Sequence, residues 1–178
     1  MYQEKIAQIT EDHLRTHIAA LLADANAQFP DDDVATLVVP KTITSASRVG
    51  GVAQDLPKLL PMYAVDCMSK SFGGEVEDLW LYAYDGHIAG MVSAQSQETV
   101  DQLCKRHASA VERFVRNHQF LHLASNDEFT IREFFFVASD FSGAEEFGQR
   151  DNKKPLWLGA FRIDVRWVTS EDGANDHG

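Results

Sequence analysis

Two histidines one helical turn apart, His13 and His17 in HLRTH, are the first residues whose spacing could do chemistry. On a helix, imidazoles at i and i+4 can reach a single metal ion. Position 14 is Leu, however, where a zinc-protease helix places its glutamate base, and the sequence offers no third ligand nearby. Packing of one ring at a helix edge and solvation of the other accounts for the pair. His118 and His122 repeat the spacing where a later helix is ending, a place the helix macrodipole favours for histidine without any metal. Asp31-Asp32-Asp33 lacks the alternating ligands and distal Glu of a calcium loop, so a solvated connector is expected there. Gly50-Gly51 is not followed by the Gly-Lys-Ser/Thr of a phosphate loop, and GxSxG, SxxK and GxGxxG do not occur. These residues predict no catalytic centre, no metal site and no cofactor.

Composition narrows the partners. The 178 residues suffice for one domain with its own core, and 16 Lys+Arg against 27 Asp+Glu leave a net charge of −11. Such a chain repels nucleic acid. The start, MYQEKIAQIT, has no basic stretch followed by an apolar run, and no segment is apolar enough to span a bilayer. Cys67 and Cys104 are isolated and are expected to be free, buried thiols.

The elements that would position any site follow from periodicity. Residues 10–28 place Leu14, Ile18, Leu21, Leu22 and Ala25 at helical spacing, with Thr10 as N-cap. VATLVV, 34–39, reads as a strand ended by Pro40. Residues 41–59 read as a long loop with a short strand at 41–46; loops of that length are uncommon unless functional or ordered by a partner. LPMYAVDCM, 60–68, reads as a strand leading to a Gly73-Gly74 break. LWLYAYDGHIAGMVSA reads as a hairpin turning at Asp85-Gly86, because both residues accept the positive φ of a type I′ turn. Ser96 is placed to cap a helix ending near 118, whose inward stripe is Val100, Leu103, Cys104, His107, Val111, Phe114 and Val115. Asp101–Lys105 and Glu112–Arg116 pair on its outer face.

Two strands close the fold. In FTIREFFFVA, 129–138, alternation puts Phe129, Ile131, Phe135 and Val137 on one face and Thr130, Arg132, Phe134 and Phe136 on the other. WLGAFRIDVRWV, 157–168, sets Trp157, Phe161, Ile163, Val165 and Trp167 against Arg162, Asp164 and Arg166. The expectation is an α+β fold, a mostly antiparallel sheet of about five strands with two helices packed on one face. Residues 1–168 would form this domain and 169–178 an acidic, flexible tail. Large apolar side chains fall on both sheet faces, which two helices cannot cover together. Trp80, Tyr82, Phe134 and Phe136 are therefore the expected subunit interface. A base-stacking sheet is disfavoured by the interleaved Glu133 and Asp164, which point instead to cross-strand ion pairs.

The order helix, strand, long loop, "LPMYAVD" strand, "LWLYAYDGHIAGMVSA", amphipathic "ETVDQLCKRHASAVERFV" and closing hairpin resembles the tail-terminator, or tail-completion (head–tail joining), family of tailed bacteriophages. The likeness spans about residues 5–168 and includes a Leu-Pro before a strand and the run from Trp157 to Val165. It implies a non-enzymatic virion protein, assembled in the host cytoplasm. Such a protein forms a hexameric ring on the last tail-tube ring, ends tube polymerisation, and offers the attachment surface for the neck or capsid. The implied partners are further copies of itself, the tube protein below and a neck or connector protein above, with DNA passing through the lumen without specific binding and no membrane involved. Loops 41–59 and 140–155 become the expected axial contacts, through Arg48, Lys58, Phe141, Phe147 and Arg150. A connector or adaptor of the same assembly is the alternative. A small soluble enzyme or ligand-binding domain would need a site that the motifs do not supply.

Overall fold

The computed structural model describes residues 2–28, 36–45, 60–77, 79–119, 129–147 and 155–172. Along the chain these form α1 (Tyr2–Gln28), β1 (Thr42–Ser45), β2 (Met62–Val76), β3 (Leu79–Ala94), α2 (Gln97–Asn117), β4 (Phe129–Phe147) and β5 (Leu156–Asp172). The strands make one sheet in the order β1-β2-β3-β5-β4. Only β1 and β2 are parallel; the other neighbours are antiparallel. The fold is α+β, with both helices on one sheet face, as the sequence predicts.

Helix α2 forms as its pattern requires. The Ser96 hydroxyl accepts the Thr99 backbone N–H at 3.2 Å, and all seven residues of the predicted stripe are buried. Helix α1 begins well before the expected cap. Ile6 and Ala7 continue the apolar spacing of Leu14 and Ile18 backwards, so Thr10 lies inside the helix. Its buried hydroxyl donates to the Ile6 carbonyl (2.9 Å) and accepts the Trp167 indole N–H (3.0 Å), tying α1 to β5.

Residues 36–39, expected within a strand, pair with no strand among the described residues; residues 34–35 lie outside the described part. Asn26 explains the difference. Its side chain donates to the Leu37 carbonyl (3.0 Å) and accepts the Leu37 N–H (2.8 Å), occupying the groups a ladder would need. Pairing starts with Lys41 N–H on the Pro61 carbonyl, and the short strand expected at 41–46 appears as β1.

The largest correction concerns Asp85-Gly86. Residues 79–94 are one 16-residue strand, paired throughout with β5. Gly86 faces Cys67 where β2 bulges between Cys67 and Ser69, and a Cβ there would sit 2.0 Å from the Asp66 carbonyl oxygen. The glycine permits close backbone approach and turns nothing. The reversal lies beyond Val76, where Glu77 adopts φ 49°. Gly73-Gly74 does not break β2 but sits at a second bulge, with Gly74 at φ 136°.

The core lies between helices and sheet, around Trp167, Tyr63, Tyr84, Phe114, Phe134 and Phe161. Two further glycines make room for neighbours, Gly90 within the sheet and Gly159 beneath α2. A Cβ on Gly90 would lie 2.2 Å from the Phe161 ring, and one on Gly159 would lie 2.4 Å from Val100 of α2. Cys67 and Cys104 are free and buried, with burial pushing their thiols up to about 12 and about 11.

Strand β5 also runs past the expected domain end. Thr169, Ser170 and Glu171 are buried, so they belong to the fold and not to a tail; residues 173–178 lie outside the described part. Glu171 is held by charge-assisted bonds: the Tyr84 hydroxyl donates at 2.7 Å and the Lys70 ammonium at 2.9 Å.

Lengths do not match between the layers. Strand β4 has 19 residues and α2 has 21. At about 3.3 Å per strand residue and about 1.5 Å per helical residue, the strand is nearly twice as long. Two stretches of sheet carry mostly exposed side chains. One is β2 beyond Cys67, and the other is β4 beyond Phe136.

Two outcomes follow. Asparagine is favoured in type I′ turns, but Gly86→Asn should lower the urea midpoint by roughly 1–3 kcal/mol of stability through overpacking; an unchanged midpoint would restore the turn. His107 pairs with the Tyr63 hydroxyl at 2.5 Å, and burial lowers its pKa to about 4 from 6.5. The unfolded chain therefore takes up this proton first. Stability present above pH 6.5 is lost as the pH falls towards 4, by about 3 kcal/mol for this group. Urea titrations of wild type and His107→Gln across that window should show a shallower loss in the variant.

Candidate functional site

The expected interface aromatics do not form one exposed patch. Register places Trp80, Tyr82 and Tyr84 of β3 on the same face as Trp167 of β5 and Phe134 and Phe136 of β4, and this is the face that the helices cover. The sequence assigned Phe134 and Phe136 to the face opposite Phe129 and Ile131. A bulge between Ile131 and Glu133 inserts one residue, which re-phases the strand and returns both phenylalanines to the core side. Phe134 is fully buried, stacked on Trp167 at 5.5 Å between ring centroids and edge-on to Phe114 at 6.1 Å. It is a core residue and not an interface residue.

The others lie towards the margins. Phe136 is half-buried against the core, with the Arg116 guanidinium 5.1 Å from its ring. Trp80 and Tyr82 are half-buried near the β2–β3 tip, and Tyr82 meets Lys70 Nζ at 3.6 Å and the Phe72 ring at 5.6 Å. Phe141 is exposed on β4. Arg48, Lys58, Arg150 and the side chain of Phe147 lie outside the described part.

The sheet face away from the helices is the candidate surface. No described element covers it, and its character differs from the aromatic one expected. Its centre is ionic. Arg166 Nε donates to Asp85 Oδ1 across strands at 2.5 Å, and Arg162 Nε donates to Asp164 Oδ1 at 2.6 Å. Of the cross-strand ion pairs expected here, only Arg166–Asp85 spans two strands; Arg162 pairs with Asp164 of its own strand, and Arg132 Nε donates to the Ser170 hydroxyl at 2.7 Å. His87 lies between Asp66 and Asp164 in register. Partial burial and Arg162 lower its pKa, while the two aspartates oppose them. Leu79, Leu81, Val168 and Phe135 extend the face towards the hairpin tip, and Met91, Ala89 and Ala160 towards the other end, all half-buried. The surface is open and chemically mixed, suited to contact with another protein surface more than to enclosing a small molecule.

One constellation escaped the sequence. His17 and His118 have ring centroids 4.3 Å apart, and His13 stacks on His17 at 6.3 Å. Sequence spacing joined His118 to His122, which lies outside the described part; the true neighbour comes from the other helix. His118 Nδ1 donates to the Phe114 carbonyl at 2.8 Å. Burial and the neighbouring imidazoles lower the pKa of His13 and His17. Among the described residues, no three His, Cys, Asp or Glu side chains are placed to hold a metal ion. Asp31–Asp33 and Gly50-Gly51 lie outside that part.

No protein-family model matches the chain, and no curated protein does. Among solved structures, the chain is similar to one from the virion of a native gene transfer agent (GTA) particle. The TM-score is 0.47 and the identity 16%, over 86% of this chain and 98% of that one.

The two adjacent phenylalanines of β4 separate core from surface. Phe134→Ala should cost about 3–5 kcal/mol in urea unfolding. Phe135→Ala, on the open face, should cost under about 1.5 kcal/mol. Equal losses would contradict the re-phasing by the bulge.

Proposed function

We propose that this chain is a structural component of a phage-like virion. In this reading it forms a ring, hexameric by resemblance, at the head-proximal end of a tail, where it ends tube polymerisation and offers a docking surface to the neck. The observation that carries the reading is the asymmetry of the sheet: two helices seal one face and no described element covers the other. A long, half-buried surface of mixed charge is what a subunit presents to neighbours in an assembly. The sequence resemblance supplies the kind of assembly.

Charge supports the same reading. A net −11 per chain gives a ring wall with few cationic contacts for phosphates, so DNA would slide through the lumen. Catalysis plays no part in this function.

Deleting the gene from its phage and imaging the particles tests the proposal. Tails of excess and uneven length are the expected result. Tails of normal length that fail to join heads would point to the connector role instead. Particles of normal morphology and infectivity would exclude both.

A further inference from the structure

The inference rests on the ring reading and names the joint that would close it. The large apolar side chains exposed in the described sheet are Met68, Phe72 and Val76 on β2, and Val137 and Phe141 on β4. Inner strands β3 and β5 carry none. Phe72 is 63% exposed and Val137 is 51% exposed. The apolar surplus of the sheet thus sits on the two strands nearest its opposite edges.

Among the described residues, each edge is covered over one half only. Strand β1 pairs with β2 from Met62 to Val65, leaving β2 from Asp66 to Val76 without an outer partner among the described residues. At the far edge, the Phe134 N–H is taken by the Gln119 carbonyl at 2.7 Å, on the half of β4 nearest the β2–β3 tip. The rest of β4, through Val137 and Phe141, has no outer partner among the described residues. The open halves are diagonal to each other: the tip half of β2 and the opposite half of β4.

Soluble proteins usually block such edges with charge, especially lysine. Lys70, the one lysine of β2, is folded back onto Glu171 and the Tyr82 ring and does not guard the edge, so the exposed charges left on the open halves are acidic, Glu75 on β2 and Asp140, Glu145 and Glu146 on β4. Strand directions then decide what can dock. Across β2, β3, β5 and β4 every neighbour is antiparallel, so β4 runs opposite to β2. A second copy in the same orientation, placed edge to edge, would offer its β2 antiparallel to the first copy's β4, which continues the sheet's own pairing. The contact uses different surfaces on the two partners, so it is heterologous and propagates head to tail until rotation closes it. The diagonal offset imposes a stagger, and a closed ring absorbs stagger by tilting its strands, as a barrel does.

We propose that copies of this chain join by β-strand addition, the bare half of β4 in one copy pairing with the bare half of β2 in the next. The open ionic face stays free for partners above or below the ring.

The test uses two full-length variants, Phe72→Cys and Phe141→Cys, made separately and treated with a short bis-maleimide. Cys67 and Cys104 can stay, since both are buried with raised thiol pKa values. The mixture should give covalent dimers, and each variant alone should not. The double variant Val137→Lys/Phe141→Lys should keep the wild-type circular dichroism and melting temperature and lose the oligomer in native mass spectrometry. Cross-linking of either variant alone would indicate a two-fold contact and overturn the proposal. An oligomer that survives the lysine pair without mixed cross-links would also overturn it, and would leave the ring reading standing. A wild-type chain that stays monomeric at high concentration and on purified tail tubes would remove the ring and this joint together.

Discussion

Helical residues advance half as far along their axis as strand residues do, and much of this molecule's layout follows from that disparity. A roof of two helices, with 27 and 21 residues, cannot extend over the full span of strands with 15 to 19. Where roof and sheet coincide, packing is tight enough to need glycine at Gly159, beneath Val100 and Cys104. Where they do not, strands continue as ribbons whose stability comes from their ladders and cross-strand pairs. The same chain thus contains a rigid block and two less supported extensions, and the extensions carry the exposed large apolar side chains of the sheet.

How much of this was legible depended on whether the deciding contact was local. Helix α2 was readable to its cap, because an amphipathic stripe and a serine at its head are properties of one segment. The helical layer and the ionic row on β5 were readable for the same reason. Errors arose where a distant group overrode a local signal. Asp85-Gly86 has turn chemistry, but the backbone of β2 required a residue without a side chain there. Thr10 has cap chemistry, but an indole 157 positions away uses its hydroxyl. Residues 36–39 have strand propensity, but Asn26 occupies the backbone at Leu37.

The candidate surface was misjudged through a single inserted residue. Period-two alternation is sound only while the register is regular, and β4 shifts register three times. The first shift moved Phe134 from the expected interface into the deepest part of the core. What replaced it as the open face is chemically milder. Its ion pairs are partly solvated and contribute little to folding, so their value lies in orienting a contact more than in strengthening one. The histidine cluster was missed for a different reason: two of its rings share a helix, but the third arrives by tertiary packing, which no spacing rule records.

Lys70 gives the architecture an unplanned symmetry. Its ammonium lies 5.2 Å from the Tyr2 ring and 2.9 Å from the Glu171 carboxylate, so the first turn of α1 and the last residues of β5 converge on one side chain. Fluorophores or affinity handles fused beside either residue would emerge at the same pole.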